Sequence, residues 1–419
     1  MPRFAAALLT ALLAAPLLVA CGGDRDGGVT LHWYVKVEAS GSYRQAAQRC
    51  SDASAGRYRI ELEPLPQTSD DQREQLIRRL AARDRTVDIM GMDVIWTAEF
   101  AGAGWLRPWT GARAEQVSAG VLAGPLATAR YQGRLWAAPL NSNTQLLWYW
   151  KSRTPDPPAT WDQVISAAEA LPRGRNQVAV QGGRYEGYTV WVNSLLASAG
   201  TQLVTDADRP ARARAALADA PARRALAVIR RLATSPVADP GLSADTEVDT
   251  RQAMLSGAAA FSLNYPEVYA AVRDEAPALL PDLGWTRYPQ VVPGQPSRPP
   301  LGGINLGISA YSPHPEQAFA AAACLRSAEN QQVGAVRGGL PPTIAAGYDD
   351  PAVVRAFPFG DLLRASIAAA APRPATPAYS DVSLAVQQVL HPPASVNPDK
   401  DVPELRRTID DALASKALL

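Results

Sequence analysis

Three short apolar runs near the start of the chain, separated by two amphipathic stretches, limit its fold more than anything else in the 419 residues. Residues 29–35 (VTLHWYV), 58–65 (YRIELEPL) and 87–90 (VDIM) read as strands, and residues 43–52 and 70–83 read as the helices between them. Strand, helix, strand, helix, strand at this spacing is a βαβαβ unit. It implies a parallel sheet, because each helix carries the chain back to begin the next strand in the same direction. Ligands of such sheets bind beyond the carboxyl ends of the strands. Three connections reach that edge here, each with a hydrogen-bonding side chain: Glu38, Gln67 and Asp93. The third strand is expected to break at Gly91, leaving Asp93 just beyond it with Trp96 and Trp105 close behind. A carboxylate accepts hydrogen bonds from hydroxyls, and an aromatic face stacks on the apolar face of a sugar. The same residues also read as a helix cap and two core tryptophans, since Asp is a common N-cap.

The length suggests two or more lobes. Residues 131–139 (YQGRLWAAP) read as a strand-and-turn segment, followed by Asn141-Ser142-Asn143-Thr144 and a strand over 145–150. The first crossing between lobes is placed here. Asn141 and Asn143 then either face the cleft or serve as turn residues. Helices are expected over 161–170, 188–198, 211–232, 250–256, 315–329, 352–357, 361–371, 381–390 and 404–413, with Glu247 just ahead of the fourth. Strands are expected over 178–180, 258–263 and 301–309. The last opens with Gly302-Gly303, and glycines there let a ligand approach the backbone closely.

The first 20 residues address the compartment. Arg3 precedes an apolar run over 5–18, short for a membrane span and right for the core of a signal peptide. Leu18-Val19-Ala20-Cys21 followed by Gly22-Gly23-Asp24 resembles a bacterial lipobox, which implies cleavage before Cys21, a lipid on its sulfur and a tether over 21–28. The other reading is an ordinary signal peptide with an incidental Cys. A chain that is 47% hydrophobic and 19% charged can build a core, and a formal net charge of +1 argues against nucleic acid or an acidic membrane surface as partner. Outside Cys21, Cys50 and Cys324 either pair in an oxidising exterior or stay as two buried thiols. His32, His314 and His391 are scattered, no Cys/His cluster has metal-site spacing, and neither metal nor cofactor is expected.

The lipobox, DIMGMDVIWTAEFAGAGWLRPW, YQGRLWAAP, YEGYTVWVNSLLASAG, AAAFSLNYPEVYAA, LGGINLGIS and RPATPAY together resemble the substrate-binding lipoproteins of ABC sugar importers. AQRC, DQREQLIRRL, DRTVDIM, GPLATA, NTQLLWY and RGGLPP resemble the mycobacterial trehalose-binding members of that family. The resemblance implies an α/β, periplasmic-binding-protein-like clamp of two lobes, each a sheet flanked by helices, with crossovers between them. Lobe one is expected to hold 29–140 plus 305–360, and lobe two 141–304 plus 361–419. It implies a lipid-anchored monomer on the outer side of the cell membrane that binds trehalose in the cleft and docks on permease subunits driven by a cytoplasmic ATPase. By motif, Asp93, Asn143 and Glu247 would meet glucose hydroxyls, Gly303 would contact the sugar through its backbone, and Arg373 would donate a forked pair of hydrogen bonds. Tyr265 stands where many relatives carry Trp, and the segment from Tyr265 to Tyr288 is shorter than theirs. Glu38 and Gln67 complete the expected site.

Two rival classes have specific requirements. A glycoside hydrolase needs two carboxylates flanking one bond, roles Asp93 and Glu247 could fill on paper. A serine hydrolase needs a G-x-S-x-G turn between strand and helix, which the sequence lacks. Within the binding class, a maltose-type sugar or a glycerophosphodiester is the alternative ligand. A phosphate site would call for more positive charge than Asp, Glu and Asn provide.

Overall fold

The computed structural model describes residues 28–414. The signal peptide, Cys21 and nearly all of the tether lie outside the described residues.

Five strands, Val29–Lys36, Tyr58–Leu65, Ile89–Asp93, Ala137–Asn143 and Gly302–Ile308, form one sheet. Across it they run in the order 58–65, 29–36, 89–93, 302–308, 137–143. The first three are parallel, joined by helices Ser42–Ala53 and Ser69–Ala81, as the βαβαβ spacing requires. The late strand Gly302–Ile308 enters antiparallel to both its neighbours, so the sheet is mixed. One expectation is corrected here. The third strand does not break at Gly91 but runs through it to Asp93. Gly91 is in register with Leu306, and a Cβ there would lie 2.6 Å from Val35 Cγ2. The glycine permits close packing within the strand instead of ending it.

A second sheet holds Leu146–Trp150, Gln177–Ala179, Ala259–Asn264 and Leu283–Thr286, in the order 283–286, 146–150, 259–264, 177–179. Every residue of its two central strands is buried. This is the pattern of strands covered on both faces. Trp161, Trp191 and Tyr288 pack in the core on one side, and Trp148, Trp285 and Phe359 on the other. Each sheet is therefore flanked by helices, which is the mixed α/β architecture the sequence implies.

The chain passes from the first sheet to the second through Thr144 and Gln145, and returns between Thr286 and Gly302. The piece expected in lobe one over 305–360 is divided. Phe319 and Leu325 pack in the first core, whereas Tyr348, Val353, Phe357 and Phe359 pack with Trp148 and Leu283 of the second sheet. The Phe359 ring meets Trp148 edge-on at 5.3 Å and covers an aromatic face that would otherwise meet water.

Several helix bounds also differ. The helix expected from 211 begins at Asp219, because Arg214–Ala215 pairs as a short strand with Val204–Thr205. The helix expected over 315–329 is two, Pro315–Leu325 and Ala328–Gly338, the second capped by Ser327 accepting from Asn330 N. The last helix starts earlier, at Pro398, where Asn397 accepts from two backbone N–H groups. Cys50 and Cys324 are bonded, tying helix Ser42–Ala53 to helix Pro315–Leu325 within the first core.

Candidate functional site

Asp93 ends the third strand, just ahead of helix Trp96–Gly102. Its Oδ1 accepts from Ile95 N at 3.2 Å and its Oδ2 from Ser69 Oγ at 3.2 Å. The Nη2 of Arg373 donates to the same Oδ1 at 3.0 Å. The Nη1 of Arg373 donates to Glu186 Oε1 at 2.6 Å. Glu186 opens helix Glu186–Ser198 of the second lobe, so one guanidinium joins a carboxylate of each lobe. The two partners are nearly sealed, at 4% exposure for the arginine side chain and 5% for the glutamate. Glu186 also accepts from Tyr379 Oη at 2.5 Å and from Ser383 Oγ at 2.6 Å. A second tie runs beside it, where Glu186 N donates to Asp70 Oδ2 at 3.1 Å.

Burial pushes the Glu186 carboxyl above the usual carboxylate range, opposed by Arg373 and by the hydroxyls of Ser383 and Tyr379. Burial raises Asp70 as well. For Arg373 burial acts downward, and Asp93, Tyr379, Glu186 and Tyr265 together more than offset it, so the guanidinium stays charged. Its Nε–H is buried without an acceptor among the described residues.

The second half of the cluster centres on Glu247, the first residue of helix Glu247–Leu255 and not a residue ahead of it. Tyr185 Oη donates to Glu247 Oε2 at 2.7 Å. Asn264, at the end of its strand, holds the Glu247 carbonyl at 3.0 Å and the Tyr265 N–H at 2.7 Å. Burial raises the Glu247 carboxyl, and the Tyr185 hydrogen bond opposes it. Burial and then the charge of Glu247 raise the Tyr265 hydroxyl, which also feels Arg373, Asp93 and Glu186.

Asp93, Arg373, Glu247 and Tyr265 are thus brought together, with Glu186, Tyr185, Tyr379 and Asp70 added by the fold. Those four carried little sequence signal. Glu186 lies ahead of the helix expected over 188–198, which the structure begins at Glu186, and Tyr379 is a buried aromatic at the start of its own helix. Asn143 ends its strand at the crossing, half-buried, its Oδ1 accepting from Thr144 N at 3.1 Å. Gly303 has φ 135°, and a Cβ on it would lie 2.2 Å from Asn141 O. Its carbonyl accepts from Val94 N at 3.3 Å, so it buttresses the turn after Asp93. Glu38 accepts from Ser42 Oγ at 3.0 Å and Tyr43 N at 2.9 Å, capping helix Ser42–Ala53. Gln67 is exposed, and its carbonyl accepts from Gln72 Nε2 at 3.3 Å. Trp96, only 1% exposed, stacks on Phe100, which Trp105 meets edge-on; the core reading holds for Trp96, while Trp105 is half-buried against that core.

Arg373 joins the carboxylates of Asp93 and Glu186, with Asp70 beside the Glu186 backbone and Glu247 beside Tyr185. Such a surface offers carboxyl acceptors and tyrosine hydroxyls to a hydroxyl-rich ligand.

Comparison with known proteins agrees with this architecture. Residues 55–332 match the profile of a family described as bacterial extracellular solute-binding protein. A Deinococcus radiodurans protein named "Probable ABC transporter-binding protein" is 27% identical over 347 residues, 79% of this chain and 81% of that one. Maltose-bound T. maritima MalE3 superposes with a TM-score of 0.81 at 24% identity, covering 93% of this chain and 100% of that one. A solute-binding protein from Thermotoga lettingae bound with α-D-tagatose superposes with a TM-score of 0.80 at 20% identity, covering 92% and 100%. The family and these relatives are solute-binding proteins, not enzymes.

Proposed function

We propose, because this chain belongs to the family of bacterial extracellular solute-binding proteins, that it captures trehalose or a closely related neutral disaccharide between its lobes and delivers it to an ABC permease. The observation that carries this reading is the cluster itself. Asp93 of one lobe and Glu186 of the other meet on Arg373, beside Glu247, Tyr185 and Tyr265. Groups drawn from both lobes allow a ligand to stabilise the closed arrangement, since only a ligand that binds one state better can shift the balance. The buried Arg373 Nε–H leaves a donor for a sugar oxygen, and the four carboxylates supply acceptors. Relatives that hold maltose and tagatose support a sugar as ligand. The choice of trehalose rests on the strings shared with the mycobacterial trehalose-binding lipoprotein LpqY, NTQLLWY and RGGLPP among them. Anchoring through a lipid on Cys21 is part of the same reading, as is the assignment of Asn143 and Gly303 to the ligand's rim. Among the described residues no helix is long and apolar enough to cross a membrane.

Calorimetric titration of the chain lacking residues 1–21 with trehalose, maltose and glycerophosphocholine tests the proposal. Trehalose is expected to bind in preference to the other two, without release of glucose. Asp93→Asn is expected to lose about 1.5–3 kcal/mol of binding, the usual worth of a hydrogen bond to a charged group. Preference for glycerophosphocholine, or an Asp93→Asn variant that binds as the parent does, would overturn the reading.

A further inference from the structure

We infer that the outer edge of the first sheet carries a site for a divalent transition-metal ion of the zinc class, built from His32, Glu61 and Glu63. Glu61 and Glu63 are two residues apart on strand Tyr58–Leu65 and therefore project from the same face. The parallel register sets His32 opposite Glu61 on the adjoining strand. The ring closes the arrangement, with His32 Nδ1 2.8 Å from Glu63 Oε1. One nitrogen or oxygen from each of the three side chains lies within 4.8 Å of the others.

Zinc–nitrogen and zinc–oxygen bonds of about 2.0–2.2 Å place the donors of a tetrahedral ion roughly 3.3 Å apart. Reaching that spacing needs small side-chain movements and no change of backbone. The side chains have the freedom for it, at 30% exposure for His32 and 35% for Glu63. Among the described residues the competitor is Arg59, which pairs with Glu61 at 2.8 Å, both side chains exposed. An exposed pair of that kind holds little energy, and an ion would displace it.

The donor set selects the metal. An imidazole with two carboxylates suits zinc and its neighbours, whereas calcium and magnesium prefer six or more oxygens or retained waters. Three protein ligands leave a fourth position for water or for a group from another molecule. The ion would clamp the outermost strand of the sheet to its neighbour. The site stands apart from the carboxylate cluster around Arg373, so it neither depends on the sugar-binding proposal nor fails with it.

The test uses the full chain without a histidine tag, stripped with chelator and titrated with zinc chloride by calorimetry and by thermal melting. One ion per chain is expected, with a melting temperature raised by zinc and not by calcium or magnesium. His32→Gln and Glu63→Gln should each weaken zinc binding by at least about tenfold, the loss seen when even outer-sphere partners are removed. Absence of zinc binding, or variants that bind zinc as tightly as the parent, would overturn the inference. Should the variants fold poorly, zinc X-ray absorption of the parent protein decides. One imidazole with carboxylate oxygens supports the site, and any other donor set refutes it.

Discussion

Arg373→Met should expose how much the fold depends on one buried guanidinium. The substitution keeps most of the side chain's length and apolar bulk, and removes its charge and its donors. Glu186 is left 5% exposed, with the neutral hydroxyls of Tyr379 and Ser383 as its only side-chain donors among the described residues. Asp93 loses less, since it is 21% exposed and keeps Ser69 Oγ and Ile95 N. Removing one partner of a buried pair typically costs about 3–5 kcal/mol, because the other charge remains without compensation. Burial already raises the Glu186 carboxyl, and loss of Arg373 removes the largest opposing influence. A carboxyl whose folded pKa lies above its unfolded one binds more protons when folded, so its stabilising effect is present at low pH and is lost as pH rises. The Arg373→Met penalty should therefore be larger at pH 8 than at pH 5. Adding Glu186→Gln removes the stranded charge and should recover about 2–3 kcal/mol at pH 8, an interaction energy of the size seen for residues in one network. Urea unfolding of the parent, both single variants and the double variant at the two pH values measures this cycle. A single-variant loss below about 1 kcal/mol, or strictly additive variants, would refute the assignment of a coupled buried pair.

Two further outcomes follow from other parts of the structure. Cys50→Ser with Cys324→Ser removes a crosslink between residues 274 apart in sequence, and should cost about 2–5 kcal/mol of stability in chemical denaturation; equal midpoints for variant and parent would contradict the bridge. Burial, then the charges of Asp239 and Asp249, push the Asp245 carboxyl up to about 7. Because the folded state then holds the extra proton, stability should fall as pH rises from the ordinary carboxylate range through about 7, and Asp245→Asn should flatten that slope. Parallel pH profiles for variant and parent would exclude it.

Much of the fold is local and so was legible in the chain. Apolar runs at 29–35 and 58–65 with helices between them dictate a parallel unit, because short-range periodicity fixes each element and the short connections fix their direction. The helix expected over 161–170 is kept as Trp161–Glu169, and the structure adds a capping box between Thr160 and Gln163. Asp93, Tyr265 and Arg373 could be singled out by their strings, and Glu247 by its place ahead of an expected helix, but not that the fold brings them together. That Arg373 touches Asp93 across 280 residues, and Glu186 across 187, depends on how the two lobes close on one another. Likewise His32 faces Glu61 and Glu63 only because a parallel register aligns two strands a helix apart. Gly91 read as a strand break because a glycine's local freedom is visible in sequence, while the close approach of Val35 that requires it is not. Elements within a dozen residues of one another follow from backbone geometry and the pattern of apolar side chains. Charges that meet from opposite ends of the chain follow only from packing, where burial decides which carboxylates must share a cation.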